Sequence, residues 1–153
     1  MKEKVFEAFK ALGFKLDKIA NLCYSFCYEG KHCLFSLNKD DEEFMSVAIP
    51  VFRVEEDMDP QAIAGIHHIM DDANSESKYV KVNLFWSGVW VFYERAVLGD
   101  EDFEKTLQHM ICHIDRTEYL VSMQIEALLE ELKKDSDLDE VNHDESIMND
   151  DME

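Results

Sequence analysis

Hydrophobic spacing changes period several times along this chain, and the order of those changes limits its possible folds more than any other feature. Val5, Phe6, Phe9 and Leu12 recur at three- and four-residue intervals, the mark of a short amphipathic helix over about 2–12, with Gly13 placed to end it in a left-handed cap. From Leu22 to Leu37 aromatic, cysteine and serine residues surround a Glu29-Gly30-Lys31 break, the pattern of two strands and a tight turn. A third strand spans Phe44 to Arg53 after the polar turn Asn38-Lys39-Asp40-Asp41-Glu42. Pro50 inside it requires an edge position or a bulge, because proline has no N–H for the ladder. Asp59-Pro60 starts a second helix, as N-cap and first helical residue, and Ile63, Ile66, Met70 and Asn74 share its face to an end near Ala73.

Tyr79–Trp86 and Val89–Val97 flank Ser87-Gly88, which predicts a two-residue hairpin turn. The acids Asp100, Glu101, Asp102 and Glu104 complement the positive end of a last helix that runs to about Lys134. Its main stripe is Phe103, Leu107, Met110, Ile114, Val121, Ile125 and Leu128, with Cys112, Tyr119 and Met123 on the opposite side. The predicted architecture is therefore α+β, an antiparallel sheet with helices in the order α-β-β-β-α-β-β-α. The length of 153 residues fits one domain, over 1–134, followed by an acidic tail over 135–153 that is expected to be disordered.

Charge narrows the partners. The net charge is −19, and the tail holds nine acids with no Lys or Arg, so the rest still carries about −10. Binding to nucleic-acid backbones draws on Lys and Arg and is not expected, and an anionic membrane surface is equally unsuited. No apolar run reaches the roughly 18 residues of a membrane span, and the first residues lack a secretory-signal pattern, so a soluble, cytoplasmic protein is expected. Cys23, Cys27, Cys33 and Cys112 are read as free thiols, Cys23 and Cys27 on one face of a strand and Cys33 across the turn, within approach of Cys27. Without CxxC spacing they make a poor zinc set.

Chemistry has few candidates. In His67-His68-Ile-Met-Asp71-Asp72, the i,i+4 spacing puts His67 with Asp71 and His68 with Asp72 on neighbouring helix flanks, a geometry compatible with a divalent metal, although solvated local pairing explains it better, since Asp does not favour the C-terminal end of a helix. His109 and His113 form a second such pair towards the polar flank of the last helix, without the Glu of an HExxH arrangement. The five glycines never approach a phosphate-cradling spacing, no Ser sits in GxSxG, and the acidic runs Asp40-Asp41 and Glu55-Glu56-Asp57 lie in polar turns. No cofactor and no catalysis are expected.

The hairpin carries more. A Ser87-Gly88 turn pairs Trp86 with Val89, Leu84 with Val91 and Val82 with Tyr93, and sets Lys81 opposite Glu94. It also gathers Tyr79, Asn83, Phe85, Trp90 and Phe92 on the second face of the sheet. Four aromatics there are an unusual patch, which either the second helix or a protein partner covers. Tyr79, Phe85, Trp90 and Phe92 are the expected partner-binding residues.

Several short strings resemble the YbjN family of bacterial proteins, whose fold is similar to that of type III secretion chaperones. They are Ala11-Leu-Gly-Phe14, Tyr28-Glu-Gly30, Ala48-Ile-Pro50, Asn74 at the helix exit, and Val89-Trp-Val91 with Glu94, spread over roughly 1–130. The family often has two asparagines near that exit, where Asp71 accompanies Asn74 here. The resemblance implies helices packed around an antiparallel sheet, often dimeric, acting through protein contacts; the chaperones hold an extended segment of a client. The sequence thus supports a non-catalytic protein-binding module, chaperone-like or regulatory, forming a homodimer or taking a peptide. The alternative is a metal-dependent protein using the His67/His68/Asp71/Asp72 cluster.

Overall fold

In a computed structural model the described residues are 1–21, 23–38 and 44–150, with side chains described as far as 143. They form α1 (Lys2–Ala11), β1 (Asp17–Ala20), β2 (Cys23–Tyr28), β3 (Lys31–Leu37), β4 (Phe44–Arg53), α2 (Pro60–Glu76), β5 (Lys81–Phe85), β6 (Gly88–Ala96) and α3 (Phe103–Asp150). Leu22, the Asp40-Asp41 pair with its turn from Lys39 to Glu42, and residues 151–153 lie outside them. The α+β order matches the expectation with one addition. β1 is a fourth strand before α2, only four residues long and exposed throughout, so it has no buried alternation to announce it.

Local chemistry explains the element ends. Gly13 follows the α1 cap at φ +85°, a conformation that glycine adopts without strain. At α2 the Asp59 carboxylate accepts from the Gln61 N–H at 2.7 Å and Pro60 begins the helix. The six strands order β1-β2-β3-β4-β6-β5, every neighbouring pair antiparallel. In β4 the register with β6 slips between Pro50 and Phe52, and pairing with β3 ends at Ala48. Pro50 therefore sits at a bulge where one flank of β4 has lost its neighbour, which removes the cost of its missing N–H.

All three helices pack on one face of the sheet. Val5, Ala8 and Phe9 of α1, Ile66 and Met70 of α2, and Phe103, Leu107, Met110, Ile114, Val121 and Ile125 of α3 are buried there with Phe26, Phe35, Val47, Ile49, Val82 and Val91. The alternative in which α2 covers the second face is not what forms: α2 docks on α3 and on β5. At Gly65 the two helices come so close that a Cβ would meet Leu128 Cδ2 at 2.6 Å. One ion cluster ties the β2–β3 hairpin to α3. Lys31 Nζ lies 2.5 Å from Glu118 and 3.3 Å from Asp115, and these bonds hold the Lys31 pKa above its ordinary value against the opposing effect of burial.

α3 does not stop near Lys134. It continues as helix to Asp150, through the segment expected to be irregular, because no Gly or Pro interrupts the chain from Phe103 to Asp150. Every described side chain from Lys133 to His143 is exposed, so this extension has helical backbone without a core contact.

Candidate functional site

Because the helices share one face, the other face of the sheet is left bare by the described residues. Ladder pairs place its side chains in rows: Ser25, Leu34, Ala48, Phe92 and Lys81 run across β2 to β5, with Pro50, Trp90 and Asn83 in the next row. Phe85, Trp90 and Phe92 form an aromatic cluster on it. The Phe85 ring stands edge-on to Trp90 at 5.8 Å and to Phe92 at 5.6 Å, and Trp90 lies 6.3 Å from Phe92. Lys81 and Glu94 form an ion pair at its border.

The hairpin turn extends the cluster. Trp86 and Ser87 occupy the turn at φ 46° and 59°, and Phe85 pairs with Gly88. The turn is thus one residue earlier than Ser87-Gly88, and the register differs by two: Val82 pairs with Val91, Leu84 with Val89 and Lys81 with Phe92. A shift of two preserves both faces, so the expected face assignment of the β5 and β6 side chains stands and Lys81 meets Glu94 diagonally instead of directly. Gly88 is needed in the strand for another reason than turning. A Cβ there would meet the Phe52 carbonyl oxygen at 3.1 Å, where Val54 N–H donates to the Ser87 carbonyl at 2.8 Å. Trp86, 79% exposed, stacks on Phe85 at 4.8 Å from the tip. Nothing in its spacing marks it as part of the site, since a bulky residue in left-handed backbone runs against turn preferences.

Tyr79 does not belong to this cluster. It precedes β5, outside the ladder that would fix its side, and stacks on Tyr93 at 5.8 Å on the helix-bearing face. His109 and His113 of α3 approach the Tyr79 ring at 4.7 and 4.8 Å, and Tyr93 Oη lies 3.1 Å from His109 Nδ1. Both histidines pack against rings, His113 half-buried and His109 exposed to solvent on its outer side. Burial, and then the neighbouring His109 and Arg116, hold the His113 pKa below its usual value. A cleft of about 390 Å³ opens beside them, lined by the exit of α2, Lys78, Arg116, Leu120 and Gln124.

The other expected groupings separate. His68 and Asp72 pair at 3.6 Å in full solvent, and among the described residues no three His, Cys, Asp or Glu side chains converge on one point. Cys27 and Cys33 occupy adjacent rungs on opposite faces. Cys27 lies on the bare face with its Sγ 4.0 Å from His32 Nδ1, whereas burial pushes the Cys33 thiol up to about 12. All four cysteines are free thiols. Cys112, Tyr119 and Met123 are exposed on α3, opposite its buried stripe. Among the described residues, no helix is long and apolar enough to cross a membrane.

No family model and no curated protein matches the chain. Solved structures do. One chain of the HopA1–SchA chaperone–effector complex superposes with a TM-score of 0.54 over 80% of this chain and 92% of its own length, at 10% identity. An uncharacterized protein from Methanothermobacter thermautotrophicus gives 0.56 over 82% and 96% at 16% identity, and YbjN from E. coli, a proposed transcription regulator, gives 0.53 over 86% and 93% at 14%. Identities this low speak to fold alone. The chain has the α+β fold that YbjN shares with a chain of a chaperone–effector complex.

Proposed function

We propose that this chain is a non-catalytic protein-binding module, chaperone-like or regulatory, that takes a protein partner on the bare face of its sheet. The observation that carries the reading is the cluster of Phe85, Trp86, Trp90 and Phe92 on a face that none of the chain's described helices covers. Aromatic side chains with little rotamer freedom, with the Lys81–Glu94 ion pair at their border, are the composition of an interface core. A chain of a chaperone–effector complex among the structural neighbours supports a protein as the partner. In this reading the binding domain is 1–134 of an acidic cytoplasmic protein, and self-association into a homodimer uses the same aromatics. Tyr79 leaves the partner-binding set, because it is committed to Tyr93 and the α3 histidines.

The test is a double variant, Phe85→Thr with Trp90→Ser, compared with wild type by sedimentation across protein concentration and by capture from lysate of the native cell. Loss of association by about tenfold or more per residue, with circular dichroism and urea unfolding little changed, is the expected result. Association that survives both substitutions in a folded protein rejects the face. The metal reading gains nothing from the pairing of His68 with Asp72 alone, and elemental analysis of untagged protein checks it separately.

A further inference from the structure

An edge strand is a template for another chain, because alternate residues turn their N–H and C=O groups away from the sheet. In the β5–β6 pair, the closing rung Phe85 with Gly88 turns Lys81, Asn83 and Phe85 towards β6 and leaves Val80, Val82 and Leu84 facing outwards. Two of those three positions are already engaged. Val82 N–H donates to Asn74 Oδ1 at 2.7 Å, and the Val82 carbonyl accepts from Asn74 Nδ2 at 2.9 Å. Val80 N–H donates to Ser77 Oγ at 3.2 Å. Asn74 sits in the last turn of α2, and its carboxamide reproduces the donor and acceptor that a neighbouring strand residue would offer. An aspartate could accept the N–H but would face the carbonyl with a second oxygen.

We infer that Asn74, assisted by Ser77, is an edge guard that closes β5 to strand addition. A pairing strand needs successive outward rungs, and only Leu84 keeps both of its outward groups unengaged. The opposite edge is guarded by other means: β1 has four residues, an irregular register between Lys18 and Ala20, and the charges of Asp17 and Lys18 along it. The sheet therefore meets other proteins with the side chains of its face and not with the main chain of its edges. Edge closure is independent of what covers the bare face, so it can fail while the proposed function stands, and the reverse.

Amide hydrogen exchange by NMR and sedimentation velocity on the full chain test this, with Asn74→Ala, Asn74→Asp, and Asn74→Ala combined with Leu84→Pro. In Asn74→Ala the Val82 amide is expected to exchange roughly tenfold or more faster than in wild type, while the Trp90 and Phe92 amides of the inner ladder keep their rates. That variant also associates beyond the wild-type state, and Leu84→Pro, which removes the last outward N–H, cancels the gain. If Asn74→Ala does not fold, Asn74→Asp carries the test, because it retains an acceptor for Val82 N–H and frees the carbonyl, with a smaller gain in association. An unchanged Val82 rate in a folded Asn74→Ala overturns the guard, and so does wild-type association in Asn74→Ala or, where that variant does not fold, in Asn74→Asp.

Discussion

Leu34 and Phe35 are consecutive residues of β3, and they separate the two surfaces of this protein. Phe35 points under the helices, fully buried, with the rings of Phe9 at 4.8 Å and Tyr24 at 6.1 Å. Leu34 points the other way, into a row with Ala48 and Phe92 over which none of the described helices lies. Both faces are apolar at their centres, so hydrophobicity alone does not tell core from surface here. Location does: α1, α2 and α3 all lie over one face, and what remains on the other is apolar area exposed to solvent, which water disfavours by about 25 cal/mol per Å² until something covers it.

The contrast should show first in cysteine reactivity. Cys27 is exposed on the bare face and Cys33 buried on the covered one, with its pKa raised to about 12 from 9.0. The Cys33 thiolate is thereby scarce and its burial also shuts out reagent, so alkylation followed by mass spectrometry should label the exposed Cys27 faster by roughly a hundredfold or more. Comparable rates would mean that the covered face opens readily. Stability comes next: Phe35→Ala is expected to cost about 3–5 kcal/mol in urea unfolding, through lost burial and the cavity left behind, whereas Phe92→Ala in the isolated monomer should cost about 1 kcal/mol. Equal costs would show that the bare face is packed in solution.

Smaller effects sharpen the picture at its margins. His113, in the ring cluster with Tyr79, Tyr93 and His109, binds its proton less readily folded than unfolded. Its contribution is therefore complete above the ordinary value of 6.5 and is lost as pH falls from there towards the lowered folded value. His113→Gln should flatten that part of a stability-against-pH curve. An identical slope in the variant would assign it to other groups. Removing 135–153 should change the unfolding midpoint least, by an amount equivalent to under about 0.5 kcal/mol, because the described side chains from Lys133 to His143 touch no core.

What could be read in advance follows the same division. Elements with a buried stripe were legible: the seven stripe residues of α3 all pack on the core, and the Asp59-Pro60 start of α2 holds. β1 was not, for it buries nothing. The hairpin turn was misplaced because Gly88 looks like a turn residue, while its smallness serves the close approach of the Phe52 carbonyl. The aromatic face survived that error, since a two-residue slip leaves side chains on their own side. Alternation begins only at Lys81, so it does not fix the side on which Tyr79 lies. Asn74 shares a face with Ile63, Ile66 and Met70 in sequence, but its bond to Val82 depends on how α2 meets β5, which no periodicity encodes.

Hydroxyl-radical footprinting of the free protein and of the complex isolated from its native cell, compared residue by residue, would locate the surface that a partner covers. Oxidation of Phe85, Trp86, Trp90 and Phe92 is expected to fall in the complex while Tyr119 and Met123 on the outer side of α3 are oxidised as before. Protection at Tyr119, Leu120 and Met123, with the four sheet aromatics unchanged, would contradict that expectation and move the interface to the helix.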